Sequence, residues 1–359
     1  MAHPIRRDSR LTRLGALGAV VVLGAGILSA CGANEAQESA GDTKTIALLL
    51  PESKTTRYEA FDRPLFEKKV AELCSDCEVS YYNADQDPAK QQQQVETAIS
   101  DAVDVMVLDP VDGEAAAGLV ADAQAEDIPV VAYDRFIEGA DYYLSFDNAA
   151  VGKLQGDALL EAMGGDGNIL MLNGAPTDPN AAQFKEGAHS ALDGNAEIIA
   201  EYDNPDWSPD NAQQWTTDQL GKNDPSDIDG VYAANDGQAG GVVAALTGAG
   251  VAEDQLPPIT GQDAELAAIQ RIVAGQQAMT IYKPILTEAN GAAELAVKLV
   301  NGEEVTDTED FEGVASYIYD PIVVTQDNVA DTVVADEFYS VDEICTGEYA
   351  DACAEAGLS

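Results

Sequence analysis

The feature that most constrains the fold is a regular alternation of short apolar runs with longer runs of helical periodicity. From residue 45 onward, β-prone runs such as 103–108 and 128–133 are each followed by a helical pattern. The β-prone runs lack polar alternation, so we expect strands buried on both faces, as in parallel sheets covered by helices. Because the pattern occurs twice along the chain, the sequence predicts an α/β fold with two doubly wound lobes.

The charge of the chain excludes several classes of partner. Its 359 residues include 64 acidic and 18 basic residues, for a formal net charge of −46. Such a surface repels phosphate backbones, so no nucleic-acid partner is expected, and anionic lipid headgroups are disfavoured. The hydrophobic fraction of 46% is ordinary for a globular protein, and the length favours two domains.

Residues 1–31 have the features of an export signal. Four arginines precede an uncharged run at 14–30, which is too short and glycine-rich for a good membrane-spanning helix. The run ends in Leu-Ser-Ala-Cys-Gly, which resembles the lipobox of bacterial lipoproteins, so we expect lipidation of Cys31. Acyl chains would anchor the protein to the cell membrane, facing outside the cytoplasm. A plain secretory signal with an incidental cysteine is the alternative, and the polar residues 32–44 predict a flexible tether.

Four further cysteines fit an oxidising compartment. Their clustering suggests that Cys74 pairs with Cys77 and Cys345 with Cys353, although four cysteines allow three pairings. The Cys-Ser-Asp-Cys motif at 74–77 could instead be a redox motif or half of a zinc site. No second Cys-x-x-Cys motif is present and only His189 follows the signal, so neither a metal nor a cofactor is expected.

Polar side chains follow five predicted strands at the point where each strand ends. Because the carboxyl ends of parallel strands meet at one edge of a sheet, we expect these side chains to converge on one crevice. Carboxylates, amides, Arg and Lys there would supply hydrogen-bond donors and acceptors for a polar ligand. The strand-end residues are Asp134 and Arg135, Asp178 and Asn180, Asn235, Asp263, and Lys283.

Five short segments resemble a known family. The chain is similar to the type I periplasmic binding proteins for monosaccharides, in particular the D-xylose-binding proteins of ABC importers, from about residue 45 to residue 338. The segments that carry the resemblance are Val131-Ala-Tyr-Asp-Arg135, Tyr143-Leu-Ser-Phe-Asp-Asn148, Asn235-Asp236, Gly261-Gln-Asp263 and Met279-Thr-Ile-Tyr-Lys-Pro284.

The resemblance implies which residues contact the sugar. The family's Arg–aromatic pair matches Arg57 and Tyr58, with Tyr in place of the usual Trp, and its stacking Trp matches Trp207. Three acids would then balance three bases around an uncharged ligand. The implied set is Arg57, Tyr58, Asp134, Arg135, Asp178, Asn180, Trp207, Asn235, Asp263 and Lys283.

The resemblance also implies two lobes joined by a three-crossover hinge. The first lobe would hold 45–147 and 285–303, and the second would hold 148–284 and 304–335. A tail at 336–359 would be pinned by its two cysteines. We expect a monomer that closes around the sugar and delivers it to an ABC permease in the membrane, without enzymatic activity.

D-Xylose is the first expectation for the ligand, and other ligands and another function remain as alternatives. Glucose, galactose, arabinose or ribose are alternatives, because xylose differs from glucose only by the hydroxymethyl group. A sugar-sensing receptor that feeds a signalling partner is a further alternative. An enzyme is disfavoured because the sequence lacks a Gly-x-Ser-x-Gly motif and a metal-ligand cluster. A repressor is disfavoured because an export signal stands where a DNA-binding region would be.

Overall fold

The computed structural model describes residues 43–358. The predicted signal, Cys31 and most of the predicted tether lie outside the described residues. Within residues 43–358, no helix is both long and apolar enough to cross a bilayer.

The secondary structure alternates as the sequence predicts. The strands are β1 (Lys44–Leu50), β2 (Cys77–Asn83), β3 (Val105–Leu108), β4 (Val130–Tyr133), β5 (Tyr142–Phe146), β6 (Asn168–Asn173), β7 (Glu197–Asp203), β8 (Gly230–Ala233), β9 (Thr280–Tyr282), β10 (Glu309–Phe311), β11 (Val314–Tyr319) and β12 (Ile322–Val324). The α-helices are α1 (Arg63–Leu73), α2 (Pro88–Ser100), α3 (Gly113–Ala125), α4 (Asn148–Met163), α5 (Pro179–Leu192), α6 (Pro209–Leu220), α7 (Asp236–Gly248), α8 (Leu266–Val273), α9 (Ile285–Val300), α10 (Val341–Ile344) and α11 (Ala350–Glu355).

The first lobe is built on a sheet of seven strands. Its order is β10-β11-β5-β4-β3-β1-β2, and every neighbouring pair is parallel except β10 with β11. Side chains of β1 alternate between two cores. Ile46 and Leu48 pack with α1 and α9, whereas Ala47 and Leu49 pack with α2 and α3. Helices therefore cover both faces of this sheet, which confirms the predicted doubly wound arrangement.

The second lobe has a shorter sheet. β7, β6 and β8 pair in parallel in that order. Single bridges from Val231 to Ile259 and from Gln262 to Ile281 continue the sheet toward the antiparallel pair of β9 and β12. The sequence predicts a strand at 259–262, but in the described chain this segment forms only bridges at its two ends.

The assignment of residues 304–335 to the second lobe is wrong for β10 and β11. β11 pairs in parallel with β5, so both strands complete the sheet of the first lobe. The chain returns to the second lobe only at β12, which pairs with β9. The three crossovers therefore follow β5, β9 and β11.

A π-helical turn, Tyr58–Asp62, precedes α1. The sequence predicts a single helix over 58–73, and the structure divides that segment into this π-turn and α1. A π-turn accommodates one more residue than an α-turn and is frequent at functional sites. Tyr58 and Asp62, at the two ends of this turn, are both buried.

The C-terminal segment, residues 325–358, packs on α8 and β9. Val329 and Val333 lie in one apolar core with Ile269 and Ile272 of α8. The side-chain amide of Gln270 donates to backbone carbonyls near the end of α10, which holds this segment against α8. The segment is therefore a packed part of the second lobe.

The two cysteine pairs suggested by the sequence are brought together. The sulfur atoms of Cys74 and Cys77 lie within bonding distance, with their Cα atoms 5.3 Å apart. The sulfur atoms of Cys345 and Cys353 are also within bonding distance, with their Cα atoms 5.7 Å apart. These Cα separations are usual for disulfides.

Candidate functional site

A small cavity lies between the two lobes. The lining comes from both lobes and includes all ten residues implied by the resemblance, together with three that the sequence reasoning missed. The lining residues are Thr55, Arg57, Tyr58, Asp134, Arg135, Asp178, Asn180, Phe184, Trp207, Asn235, Gln262, Asp263 and Lys283.

Arg57 is fixed by acidic groups of its own lobe. Nε and Nη2 donate to Asp62 at 3.0 and 2.7 Å, and Nη2 also donates to Glu288 at 2.6 Å. Nη1 donates to Asp134 at 2.8 Å. A hydroxyl hydrogen bond from Tyr133 to Asp62 supports the cluster. A guanidinium has five N–H groups, so these bonds leave one N–H on Nη1 for a ligand.

Arg135 joins the two lobes. Its Nε forms an ion pair with Oδ2 of Asp178, 2.9 Å away, at the start of α5 in the second lobe. Within the first lobe, Nη2 donates to the hydroxyl of Tyr58 at 3.2 Å and Nη1 donates to the carbonyl of Pro110 at 3.0 Å. Oδ1 of Asp109 lies 3.4 Å from Nε. This ion pair between the lobes therefore exists only when the two lobes are together.

Two of the strand-end residues also cap helices. Oδ1 of Asp178 accepts from the backbone of Asn180 at 2.8 Å, and Oδ1 of Asn235 accepts from the backbone of Gln238 at 3.0 Å. Capping occupies one oxygen of each side chain. Oδ2 of Asp178 accepts from Nε1 of Trp207 at 3.0 Å, and the amide nitrogen of Asn235 remains a donor at the cavity.

Lys283 lies between acids of the two lobes. Its Nζ is 3.1 Å from Oδ1 of Asp263 and 3.7 Å from Oδ1 of Asp134. Asp134, Trp207 and Asp263 have positive φ angles of 58°, 54° and 90°. Such a backbone costs energy for residues other than glycine and clusters at functional sites. The fold therefore holds three of the predicted residues in strained conformations at the cavity.

Aromatic rings supply the apolar part of the lining. Tyr58 comes from the first lobe, whereas Trp207 and Phe184 come from the second. The ring of Trp207 packs directly on Gly174, where an added Cβ would come within 2.0 Å of it. Phe184 meets Trp207 edge-on, with ring centroids 6.3 Å apart. Phe184 lies one helical turn after Asn180, so the i,i+4 spacing could have identified it.

The charge balance differs from the sequence prediction. Three acids were to offset three bases, but Asp62, Glu288 and Asp109 also lie against the two arginines and are fully buried. Asp109 directly follows β3, so the strand-end rule could have found it. Glu288 interrupts the apolar stripe of α9, which is also a visible signal. Asp62 carries no comparable signal.

Burial and ion pairing act in opposite directions on two of these acids. Burial raises the pKa of Asp134, but Arg57, Lys283 and Arg135 outweigh burial and bring this pKa down to about 2. For Glu288, burial outweighs the attraction of Arg57 and raises the pKa to about 8. At neutral pH, Asp134 is therefore charged and Glu288 is mostly neutral.

Burial also outweighs ion pairing in its effect on the pKa values of the acids around Arg135. Burial raises the pKa of Asp109 well above its usual value, against the charge of Arg135. Burial also raises the pKa of Asp178, although Arg135 again opposes the shift. Raised pKa values favour the neutral form of a carboxyl group, so these shifts act toward a balance between the six acids and the three bases.

Comparison with known proteins agrees with this architecture. The chain matches the family described as periplasmic binding protein domain over residues 46–304. It is 37% identical over 310 residues to the D-xylose-binding periplasmic protein of Escherichia coli (strain K12), covering 83% of this chain and 92% of that protein. It is 35% identical over 310 residues to the protein of the same name from Haemophilus influenzae, covering 83% and 91%.

A solved structure extends the likeness to three dimensions. An ABC transporter solute-binding protein from Clostridium phytofermentans with bound β-D-glucose has a TM-score of 0.74 and 26% identity, covering 84% of this chain and all of that one. These relatives are binding proteins and not enzymes, as the sequence predicts for this chain. The chain therefore belongs to the periplasmic binding protein family and has the type I fold of its sugar-binding members.

Proposed function

We propose that this protein binds a neutral monosaccharide outside the cytoplasm and delivers it to the permease of an ABC importer. D-Xylose is the first candidate for this monosaccharide. The observation that carries the proposal is the cavity between the lobes, which hydrogen-bonding side chains of both lobes line. Two relatives with 35–37% identity are named as D-xylose-binding proteins, which supports D-xylose as the first candidate.

The hydrogen-bonding capacity left at the cavity fits sugar hydroxyls. Oδ1 of Asn180 and Oε1 of Gln262 are buried and have no hydrogen-bond partner among the described residues. Buried polar atoms in native proteins almost always have a partner. Hydroxyls both donate and accept, so two or more hydroxyls of one sugar can donate to these oxygens and accept from the free N–H of Arg57.

The electrostatics favour an uncharged ligand. Each cation at the cavity already has an acidic partner, at 2.6–2.8 Å for Arg57, 2.9 Å for Arg135 and 3.1 Å for Lys283. A charged ligand would have to displace one of these buried partners, and an unpaired buried charge costs several kcal/mol, about 3–5. A neutral polyol leaves the pairs in place.

Titration calorimetry against D-xylose, D-glucose, L-arabinose, D-galactose and D-ribose tests the proposal. We expect D-xylose to bind at micromolar concentration or tighter, about −8 kcal/mol, and more tightly than the other four sugars. Tighter binding of another sugar would reassign the ligand and keep the sugar-binding function. Absence of heat with all five sugars would contradict the proposal.

We also propose that the protein is attached to the cell membrane through lipid on Cys31. The support is the lipobox-like sequence at 28–32 and the preceding apolar run. Metabolic labelling with a fatty-acid analogue should mark the wild-type chain in the membrane fraction. The Cys31→Ser variant should lose the label, and a label that persists in this variant would contradict the proposal.

The Cys74–Cys77 and Cys345–Cys353 pairs are proposed as disulfides in a monomeric protein. The support is the approach of both sulfur pairs in the structure. Alkylation of the unfolded chain without reductant should leave these four cysteines unmodified, whereas prior reduction should expose all four. Light scattering during size exclusion should give the mass of one chain.

A further inference from the structure

An aromatic contact outside the cavity connects the two lobes. Phe61, in the π-turn of the first lobe, stacks on Phe338 of the C-terminal segment, with centroids 4.3 Å apart and planes inclined by 26°. Phe61 also meets Tyr339 edge-on at 5.7 Å. Phe61 is thus held between two rings that lie far from it in the sequence.

Phe338 and Tyr339 are attached to the second lobe. Phe338 packs on Tyr282 of β9, with centroids 5.2 Å apart. Tyr339 is buried in the core that the C-terminal segment shares with α8. Further hydrogen bonds run from Gln270 to the carbonyl of Ile344, at 3.2 Å, and from Gln326 to a carbonyl of α8. The C-terminal segment therefore moves with the second lobe.

Phe61 is attached to the first lobe and is close to the predicted sugar site. It lies between Tyr58, which lines the cavity, and Asp62, which holds Arg57. The π-turn places Tyr58 and Asp62 toward the cavity side and leaves Phe61 for the C-terminal segment. None of Phe61, Phe338 and Tyr339 lines the cavity in the described structure.

We propose that Phe61, Phe338 and Tyr339 form an interlobe clasp that stabilises the closed arrangement of the lobes and thereby tightens sugar binding. The proposal rests on the proposed sugar-binding function. A hinge motion moves the second lobe relative to Phe61, and a face-to-face contact at 4.3 Å tolerates little displacement. A contact that forms in only one of two arrangements shifts the equilibrium toward that arrangement by the free energy of the contact.

The expected size of the effect follows from the contact. Aromatic pairs contribute enough beyond burial to change an equilibrium constant roughly two- to tenfold. Because the clasp does not touch the sugar, its loss should act mainly on the rate of dissociation. The preference among sugars should stay the same, since the cavity lining is unchanged.

The test uses the full chain with Phe61→Ala, Phe338→Ala and the double variant. We expect each single variant to weaken D-xylose binding about three- to tenfold, chiefly through faster dissociation in stopped-flow fluorescence. The double variant should be little weaker than the singles, because both remove one contact. Single variants within twofold of wild type, or a double variant equal to the product of the singles, would overturn the clasp.

A matched control and a sugar-free measurement complete the test. Trp215 stacks on Tyr202 at 5.6 Å within the second lobe, so Trp215→Ala removes a similar contact that does not span the lobes and should leave affinity unchanged. Small-angle scattering without sugar should show a larger radius of gyration for Phe61→Ala and Phe338→Ala than for wild type, and equal radii would count against the clasp. Wild-type protein that binds no sugar would instead refute the proposed function.

Discussion

The two buried arginines at the cavity have different partners. Arg57 bonds to Asp62, Asp134 and Glu288, which all belong to the first lobe. Arg135 forms its shortest ion pair with Asp178, which belongs to the second lobe. A hinge motion that separates the lobes breaks the ion pair between Arg135 and Asp178 and leaves the bonds of Arg57 intact. One arginine is therefore preorganised, and the other is completed only by closure.

The difference indicates which state of the protein each interaction stabilises. Preorganised bonds stabilise the fold whether or not a ligand is bound, and they reduce the ordering cost of binding. Bonds that form on closure contribute to the closed state and hence to ligand affinity. The comparison predicts that variants around Arg57 act first on stability, and that variants around Arg135 and the second lobe act first on affinity.

The largest effect is expected for Arg57→Met. The substitution leaves Asp62, Asp134 and Glu288 buried without their cation, and breaking a buried pair in this way costs about 3–5 kcal/mol. Arg57 contributes most among the cations that bring the pKa of Asp134 down to about 2, so its loss removes the main interaction that keeps this buried carboxylate charged. Urea unfolding of the sugar-free protein, followed by circular dichroism, measures the loss of unfolding free energy.

Arg135→Met is the matched control for this prediction. The acids it leaves behind, Asp109 and Asp178, already have raised pKa values and take up protons more readily. We expect a loss of unfolding free energy of about 1–2 kcal/mol, together with a clear loss of sugar affinity. Equal losses of stability in the two variants would remove the distinction between the arginines.

The next effect is a pH dependence caused by Glu288, which faces Arg57, Asp134, Asp62 and Lys283. Its pKa is about 8 in the folded chain against 4.5 ordinarily, so the folded state binds the extra proton between these values. The contribution of Glu288 to stability is complete below pH 4.5 and is lost as the pH rises to about 8. The slope is at most about 1.4 kcal/mol per pH unit.

Glu288→Gln checks this dependence. The amide imitates the neutral acid, keeps an oxygen for Arg57 and does not titrate. Urea unfolding of wild type and variant at several pH values from 5 to 8 should show a flatter profile for the variant. Parallel profiles would mean that another group carries the titration.

Variants of the second-lobe lining should lower sugar affinity, in addition to the stability lost when buried Trp207 or the partner of buried Lys283 is removed. Trp207→Ala removes an aromatic wall, and Asp263→Ala removes the partner of Lys283. Each should weaken D-xylose binding at least tenfold, about 1.4 kcal/mol, in titration calorimetry. Unchanged affinity in both variants would place the sugar elsewhere. Trp215→Ala, outside the cavity, serves again as the control.

The smallest effect is expected for Tyr133→Phe. The substitution removes one hydroxyl hydrogen bond to Asp62 and keeps the ring in the core. A hydrogen bond to a charged group contributes about 1.5–3 kcal/mol at most, and a neutral one about 1 kcal/mol, so we expect a loss of about 1 kcal/mol in urea unfolding. Sugar affinity should change less than twofold, because the other bonds of Arg57 remain.

The sequence allowed most of the fold to be predicted, because buried parallel strands and helices have distinct local patterns. The error at 304–335 concerned a contact with no local signal. β11 pairs with β5 more than 160 residues earlier, and nothing in the run 314–319 indicates which sheet it joins. The π-turn at Tyr58–Asp62 was also missed, because an extra residue in a helix leaves the apolar spacing nearly unchanged.

The site could be predicted where the chain places it at strand ends. Asp134, Asp178 and Asp263 follow strands or strand-like segments, and topology brings such positions together. The groups that hold Arg57 were not anticipated. Asp62 and Glu288 come from helical segments, and only the packing of those segments shows that they meet one guanidinium.

The single extra residue of the π-turn determines the positions of two side chains that make separate contacts. Successive residues of a helix are about 100° apart around its axis, so deleting one residue from this turn would rotate Phe61 away from Phe338 or Asp62 away from Arg57. Deleting one residue from the turn would therefore separate the cavity residues near the turn from the C-terminal segment while both sheets stayed unchanged. If the proposed clasp acts on closure, a change at this turn would alter how tightly the protein holds its sugar even where the residues that line the cavity stay the same.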